Sequence, residues 1–148
     1  MESFNSFTIM KDVFLTLPYP NKAIRNPTHE QVENALKGTP WNHGVVGEVW
    51  LILSDADDRD FYRKLWYYLK SKNELIAFFD RDKNSDWMVT IGDAERDKEI
   101  LVEDDGGRDW KLNEQFLVPI ERGIEYALEL LRTGDIRTDV GWIVLPEV

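Results

Sequence analysis

The residues of this chain that come closest to a metal-binding pattern lie in one polar segment. Residues 80–86 read Asp-Arg-Asp-Lys-Asn-Ser-Asp, which places oxygen ligands at alternate positions, as a calcium loop does. The EF-hand pattern also needs glycine at its sixth position and glutamate at its twelfth, where this chain has Ser85 and Ile91. Strand-like segments flank the loop. We therefore interpret it as a solvated hairpin loop, and we expect neither a metal nor a cofactor.

Other signatures of catalysis are missing from the sequence. The two histidines, His29 and His43, do not stand at a zinc-binding spacing, and the absence of cysteine excludes thiolate ligands and cysteine nucleophiles. No serine lies in a Gly-x-Ser-x-Gly elbow, and no glycine-rich phosphate or dinucleotide loop is present. The chain is therefore predicted not to be an enzyme. Its many carboxylates leave a small carboxylate-dependent hydrolase as an alternative.

The charge balance points to the class of partner. The chain has 18 Lys and Arg against 28 Asp and Glu, which gives a formal net charge of −10. Such a field repels nucleic-acid phosphates and anionic lipids, and it speeds association with basic proteins. The same excess also keeps an ordinary protein soluble. We expect a partner with a basic surface, and neither direct nucleic-acid binding nor membrane binding.

Length and hydropathy predict one cytoplasmic domain. A chain of 148 residues, 43% of them hydrophobic, can bury roughly 70% of the surface of its unfolded form. The first residues, Met-Glu-Ser-Phe-Asn-Ser, lack the basic start and the apolar stretch of a signal peptide. The longest uninterrupted apolar runs, such as residues 49–53, are far shorter than the roughly 20 residues that are needed to span a bilayer. A single domain over residues 1–148 follows as the prediction.

Seven segments rich in β-branched and aromatic residues predict strands. The later segments are joined by a polar loop at 80–86 and a glycine turn at 104–107, which predicts two successive hairpins and an antiparallel meander. The predicted strands are residues 7–17, 45–53, 75–79, 87–91, 100–102, 110–112 and 140–145.

Three segments predict helices. Thr28 and Gln31 have the spacing of a capping box, and Gly38 ends a helix whose apolar stripe is Val32, Ala35 and Leu36. Residues 57–71 carry Phe61, Leu65 and Leu69 at helical spacing, and residues 118–134 carry Ile120, Ile124, Leu128 and Leu131 before Gly134. The fold class is predicted as α+β, with a mainly antiparallel sheet of about six to seven strands packed with two to three helices.

Aromatic and acidic residues cluster around the second predicted helix. Its aromatic residues cover more than one face, so Trp66 or Tyr67 is either part of the core or an exposed anchor for a partner. Acidic residues precede this segment and recur in the two hairpin loops. The predicted partner-contact residues are Asp55, Asp57, Asp58, Asp60, Trp66, Tyr67, Asp80, Asp82, Asp104 and Asp105.

Two stretches together resemble the first immunity-protein family of bacterial polymorphic-toxin systems, of the contact-dependent inhibition type. Residues 26–36 read NPTHEQVENAL, and residues 118–134 read VPIERGIEYALELLRTG and are followed by Trp142. The strand-rich segments 49–54 and 86–92 fit the middle of that family. The resemblance spans about residues 26–142.

This resemblance implies a small cytosolic protein that neutralises a cognate toxin, often a nuclease or a deaminase, by stoichiometric occlusion. The family offers no catalytic residues to carry over. Matching positions that the resemblance implies to be fold determinants are Pro27, Leu36, Pro119, Gly134 and Trp142. A scaffold or regulatory subunit with another protein partner is the further alternative.

Overall fold

A computed structural model gives the structure, and it describes residues 12–17, 22–38, 48–54, 62–69, 73–81, 86–103 and 109–145. These ranges contain two helices and ten strands, and neither helix is long and apolar enough to cross a membrane. The elements are β1 (Asp12–Leu17), β2 (Lys22–Arg25), α1 (His29–Gly38), β3 (Glu48–Ser54), β4 (Tyr62–Leu69), β5 (Glu74–Asp80), β6 (Met88–Thr90), β7 (Glu99–Glu103), β8 (Asp109–Asn113), β9 (Val118–Pro119), α2 (Ile120–Thr133) and β10 (Trp142–Val144).

Eight of these strands form one antiparallel sheet, which confirms the predicted α+β class. Its order is β10-β6-β5-β4-β3-β1-β2, and β9 pairs with β5 beside β6. The second hairpin, β7–β8, forms a separate two-stranded sheet, so the predicted continuous meander is wrong at this point. The position beside β6 is taken by β10, and Ile100 and Leu112 of the hairpin pack against a face of the large sheet instead.

The segment predicted as the second helix is strand β4, so that prediction is wrong. Leu65 and Tyr67 are buried in one core, and Trp66 between them is buried in another, as alternation across a strand requires. Residues four positions apart share a face in a strand as well as in a helix, so the spacing of Phe61, Leu65 and Leu69 fits both. Because β4 is buried on both faces, its sequence also lacks the alternation of apolar and polar residues that marks a half-exposed strand.

Helix α1 follows its sequence signals closely. The backbone N–H of Thr28 donates to Gln31 Oε1 at 2.9 Å, and the N–H of Gln31 donates to Thr28 Oγ1 at 3.1 Å. This reciprocal pair confirms the predicted capping box and satisfies two amides of the first turn. The predicted stripe is buried, with Val32 and Leu36 fully covered.

Helix α2 lies unusually close to the sheet at Gly123. A Cβ at this position would be 2.5 Å from Leu75 Cδ2, and the hydroxyl of Tyr67 donates to the Gly123 carbonyl at 2.8 Å. Burial raises the pKa of Tyr67 well above its usual value, so the hydroxyl keeps its proton. The buried face of α2 therefore centres on its small residues, and Leu128 and Leu131 of the predicted stripe are only half-buried.

The end of α2 agrees with the predicted cap. Gly134 is left-handed at φ 81°, and its N–H donates to the Leu130 carbonyl at 2.9 Å. A residue with a Cβ would be strained in this conformation.

Two apolar cores lie on the two faces of the large sheet. The helices α1 and α2 cover the face that carries Leu65, Tyr67 and Phe79. The β7–β8 hairpin and the short 3-10 turn Glu114–Phe116 cover part of the face that carries Trp66 and Phe78. Strand β5 contributes side chains to both cores.

The edge of β5 that faces β6 and β9 is completed by a side chain. Between the two short strands, the N–H of Ala77 donates to Thr90 Oγ1 at 3.1 Å, and this hydroxyl donates to the Phe116 carbonyl at 2.9 Å. Thr90 is completely buried. Its hydroxyl therefore replaces backbone pairing where the neighbouring strands do not meet.

We predict that Thr90→Val destabilises the fold although it preserves the side-chain shape. The substitution leaves the Ala77 amide and the Phe116 carbonyl buried without this partner, at a cost of roughly 1–3 kcal/mol for each group. Urea unfolding followed by circular dichroism measures the loss, and Thr90→Ser, which keeps the hydroxyl, is the control. Equal stability of Thr90→Val and the wild type would contradict this role.

Candidate acidic contact surface

The strand ends bring two connections, which together hold five of the predicted acidic contact residues, to the same end of the large sheet. Strand β3 ends at Ser54, opposite Tyr62 at the start of β4, and Lys64 lies opposite Asp80 at the end of β5. The chain segments 55–61 and 82–85 therefore begin and finish at this one sheet end. We call it the acidic end of the sheet, and its described residues are Ser54, Tyr62, Asp80, Asp86 and Trp87.

Seven of the predicted contact residues lie outside the described ranges, so they stay predictions. Five of them belong to the connections that start from the acidic end, and the other two belong to the turn of the β7–β8 hairpin. The sequence alone could not relate the first connection to the second, because their proximity depends on strand pairing. The seven residues are Asp55, Asp57, Asp58, Asp60, Asp82, Asp104 and Asp105.

The other three predicted contact residues are buried, which corrects their assignment to a contact surface. Tyr67 is 0% exposed, and its hydroxyl donates a hydrogen bond to the Gly123 carbonyl. Trp66 and Asp80 are each 5% exposed. All three positions are covered because elements pack on both faces of the sheet, a fact that depends on tertiary contacts.

Among the side chains described at the acidic end, Trp87 is an exposed aromatic residue, and it is not one of the contact residues predicted from the sequence. Its side chain is 41% exposed, and its ring lies 5.1 Å from the ring of Trp66 at an interplanar angle of 84°. Trp66 in turn stacks on Phe78 at 5.3 Å, and Lys64 Nζ lies 4.9 Å from the Trp66 ring centre. The buried aromatic pair therefore supports Trp87 from below. The sequence signal that could have indicated Trp87 is its position directly after the polar loop 80–86 and before a short strand.

The acidic end also has two arginines, and their guanidinium groups lie on the side of the sheet that the helices cover. Arg81 Nε lies 3.1 Å from Asp135 Oδ1, and Arg63 Nε lies 3.6 Å from the same oxygen. Arg81 also donates to the Ile136 carbonyl at 2.9 Å and to Thr138 Oγ1 at 3.3 Å. These contacts fix the segment after α2 to the sheet. Trp87 is on the opposite face, in line with Asp80.

The β7–β8 hairpin carries a second group of acidic positions. Its register pairs Glu103 with Asp109 directly before the turn, and it pairs Glu99 with Asn113 at the other end. These pairs alternate with Ile100 and Leu112, whose side chains pack on the large sheet. By strand alternation, Glu99 and Lys111 lie on the outer side, and both are exposed. The described outer positions Glu99 and Lys111 are therefore charged and accessible.

Metal-binding geometry is not found among the described residues, where no three His, Asp or Glu side chains are grouped to hold an ion. Comparisons with known proteins give no family: no protein-family model matches the chain, and no curated protein matches it.

We predict opposite roles for the two stacked tryptophans. Trp66→Ala should lower the free energy of unfolding by roughly 3–5 kcal/mol, because it removes a large buried ring. Trp87→Ala should lower it by about 1 kcal/mol or less, since it removes an exposed ring and one edge contact. Chemical denaturation of the two variants beside the wild type makes the comparison. A loss at Trp87 as large as that at Trp66 would show that Trp87 is a core residue.

Proposed function

We propose that this chain is an immunity protein that binds a cognate bacterial toxin and neutralises it by stoichiometric occlusion. The observation that carries the proposal is the acidic end of the sheet, where the strand ends that bound the acidic segment 55–61 share one end of the sheet with the exposed Trp87. Tryptophan is the residue type most enriched in the energetic centres of protein interfaces. Carboxylates at a protein interface favour a partner with a basic surface.

The net charge of −10 supports the same class of partner. A toxin that acts on nucleic acid presents a basic cleft, and an acidic protein can occupy that cleft in place of the phosphate backbone. Long-range attraction between the two surfaces also raises the association rate, which suits an inhibitor that must capture its toxin quickly. We propose that a nuclease or a deaminase is the toxin and that binding takes place in the cytoplasm.

The stretches that resemble the immunity family are neighbours in the fold. Helix α1 and helix α2 share one core, to which they contribute Val32, Leu36, Ile124 and Leu130. The other resemblance residues also have structural roles: Pro119 precedes α2, Gly134 ends it, and Trp142 is buried. This favours a resemblance in the fold, with the contact surface on other residues. A partner specific to this chain is consistent with that division.

We predict that the chain protects cells from the toxin that is encoded next to it. Co-expression should restore growth, and the two proteins should co-purify at a 1:1 ratio, because occlusion is stoichiometric. Unrelated toxins serve as the control for specificity. Failure to protect against any neighbouring product would remove the immunity proposal.

The second prediction for this function concerns the acidic connection after β3. The double variant Asp57→Lys with Asp58→Lys should slow association with the toxin at low salt by about tenfold or more, and should change stability by about 0.5 kcal/mol or less. Stopped-flow or surface-plasmon measurements over a range of salt concentrations give the rate, since screening should reduce the difference.

A control with the same change in net charge separates local from global effects. Glu95 and Asp97 are exposed and lie beside Arg96, which binds Glu74 at the opposite end of β5 with a 2.6 Å contact. Their reversal to lysine should slow association much less. Equal slowing by both double variants would mean that total charge, and not the acidic end, governs the encounter.

A further inference from the structure

The edge of the large sheet at β10 has backbone groups that point away from the sheet. The N–H of Ile91 donates to the Gly141 carbonyl at 2.9 Å, and the N–H of Leu145 donates to the Trp87 carbonyl at 2.8 Å. Hydrogen-bonded pairs alternate along an antiparallel strand, so Trp142 and Val144 direct their N–H and C=O groups outward. In the described part of the chain no strand lies on that side.

The side chains along this edge are apolar and accessible. Val144 is 52% exposed, and Val140, just before the strand, is 78% exposed. Natural edge strands are commonly protected by lysine, by proline or by a covering element. Here the exposed positions are valines, a residue type that favours pairing with another strand.

The guanidinium group of Arg122 lies at the start of the same edge and is fixed by a neighbouring side chain. Arg122 Nη2 donates to the Tyr126 hydroxyl at 2.6 Å, and Arg122 Cζ lies 5.6 Å from the centre of the Tyr126 ring. Gly141 has φ 85°, and a Cβ there would clash with Arg122 Nη2, so the guanidinium lies directly against the backbone that leads into β10. Within the described ranges no carboxylate forms a salt bridge with Arg122. In a chain with excess acid, this cation is held in place without an anion from the described residues.

The neighbouring polar groups are hydrogen-bond donors. The Tyr126 hydroxyl already accepts from Arg122, so its own proton is left to donate. Trp142 lies 4.8 Å from Tyr126 between ring centres, and its buried indole N–H has no acceptor among the residues that the structure describes. Donors are therefore in surplus where β10 begins, and such a surplus is complementary to an acceptor such as a carboxylate.

We infer that β10 binds an extended segment of a protein partner that carries a carboxylate. The backbone of this segment pairs with Trp142 and Val144, and its carboxylate binds Arg122. Strand addition supplies affinity through main-chain hydrogen bonds, and the charged contact selects the segment and fixes its register. The site is separate from the acidic end of the sheet, and the inference does not depend on toxin binding.

Two synthetic hexapeptides test this inference. Thr-Val-Thr-Val-Thr-Glu with a free C-terminus carries the carboxylates, and its amidated Gln counterpart carries none. In two-dimensional ¹H–¹⁵N spectra of the full chain, the acidic peptide should shift the amides of Trp142 and Val144 and the indole N–H of Trp142. We expect it to bind about tenfold more tightly than the amidated peptide, since a charge-assisted pair is about twice as strong as a neutral one.

Two variants separate the charged contact from the backbone pairing. Arg122→Gln should abolish the difference between the peptides, and Val144→Pro should abolish binding of both. Val144→Pro removes an outward N–H and none of the hydrogen bonds to β6, so the fold should persist, as circular dichroism would verify. Val140→Thr, outside the strand, is the matched control and should bind as the wild type does.

Three results would overturn the inference. Shifts of equal size with both peptides in the wild type would show that the bound segment needs no carboxylate. The absence of any shift at millimolar peptide would show that β10 does not bind such a segment. Shifts of the Trp142 and Val144 amides that depend on protein concentration without peptide would assign the edge to a second copy of the chain.

Discussion

The constraint on which the structure depends is that β5 is enclosed on both faces and both edges. Leu75, Ala77 and Phe79 enter the core under the helices, and Ile76 and Phe78 enter the core on the other face. A buried strand must find a partner for every backbone group. Strand β4 supplies these partners on one edge, and β6 and β9 with the Thr90 hydroxyl supply them on the other.

Covering β5 in this way determines which parts of the molecule are left for a partner. The helices occupy one face of the sheet and the β7–β8 hairpin occupies part of the other, so the strand ends and the β10 edge are among the accessible parts of the described chain. These two surfaces differ in charge. The connection 55–61, which begins and ends at the sheet end that carries Trp87, has four Asp and one Arg, whereas Arg122 gives the start of β10 a positive charge.

On both surfaces, an aromatic neighbour contacts the side chain that is proposed to bind a partner. Trp87 packs against Trp66, which is itself stacked on Phe78, and Arg122 is held by Tyr126 beside Gly141. A side chain that is already held loses little conformational entropy when a partner binds. On each surface an aromatic residue, buried Trp66 or half-buried Tyr126, supports the side chain that we propose makes the contact.

The sequence by itself determined the features that depend on local interactions. The Thr28–Gln31 capping box, the left-handed Gly134 and most of the strands follow from residue types a few positions apart. Periodicity failed for β4, because a four-residue spacing fits a helix and a strand alike. The short strands β2 and β9 carried too few residues to give a pattern.

Only the tertiary structure decided which aromatic residues are accessible and which loops lie together. Trp66 and Trp87 are alike in type, yet Trp66 is buried within the core on its face of the sheet and Trp87 is exposed outside that core. The pairing of β10 with β6 joins residues more than 50 positions apart, and it also determines that Trp142 and Val144 face outward. Burial and edge position depend on such long-range pairing, because each strand's environment is created by segments distant in sequence.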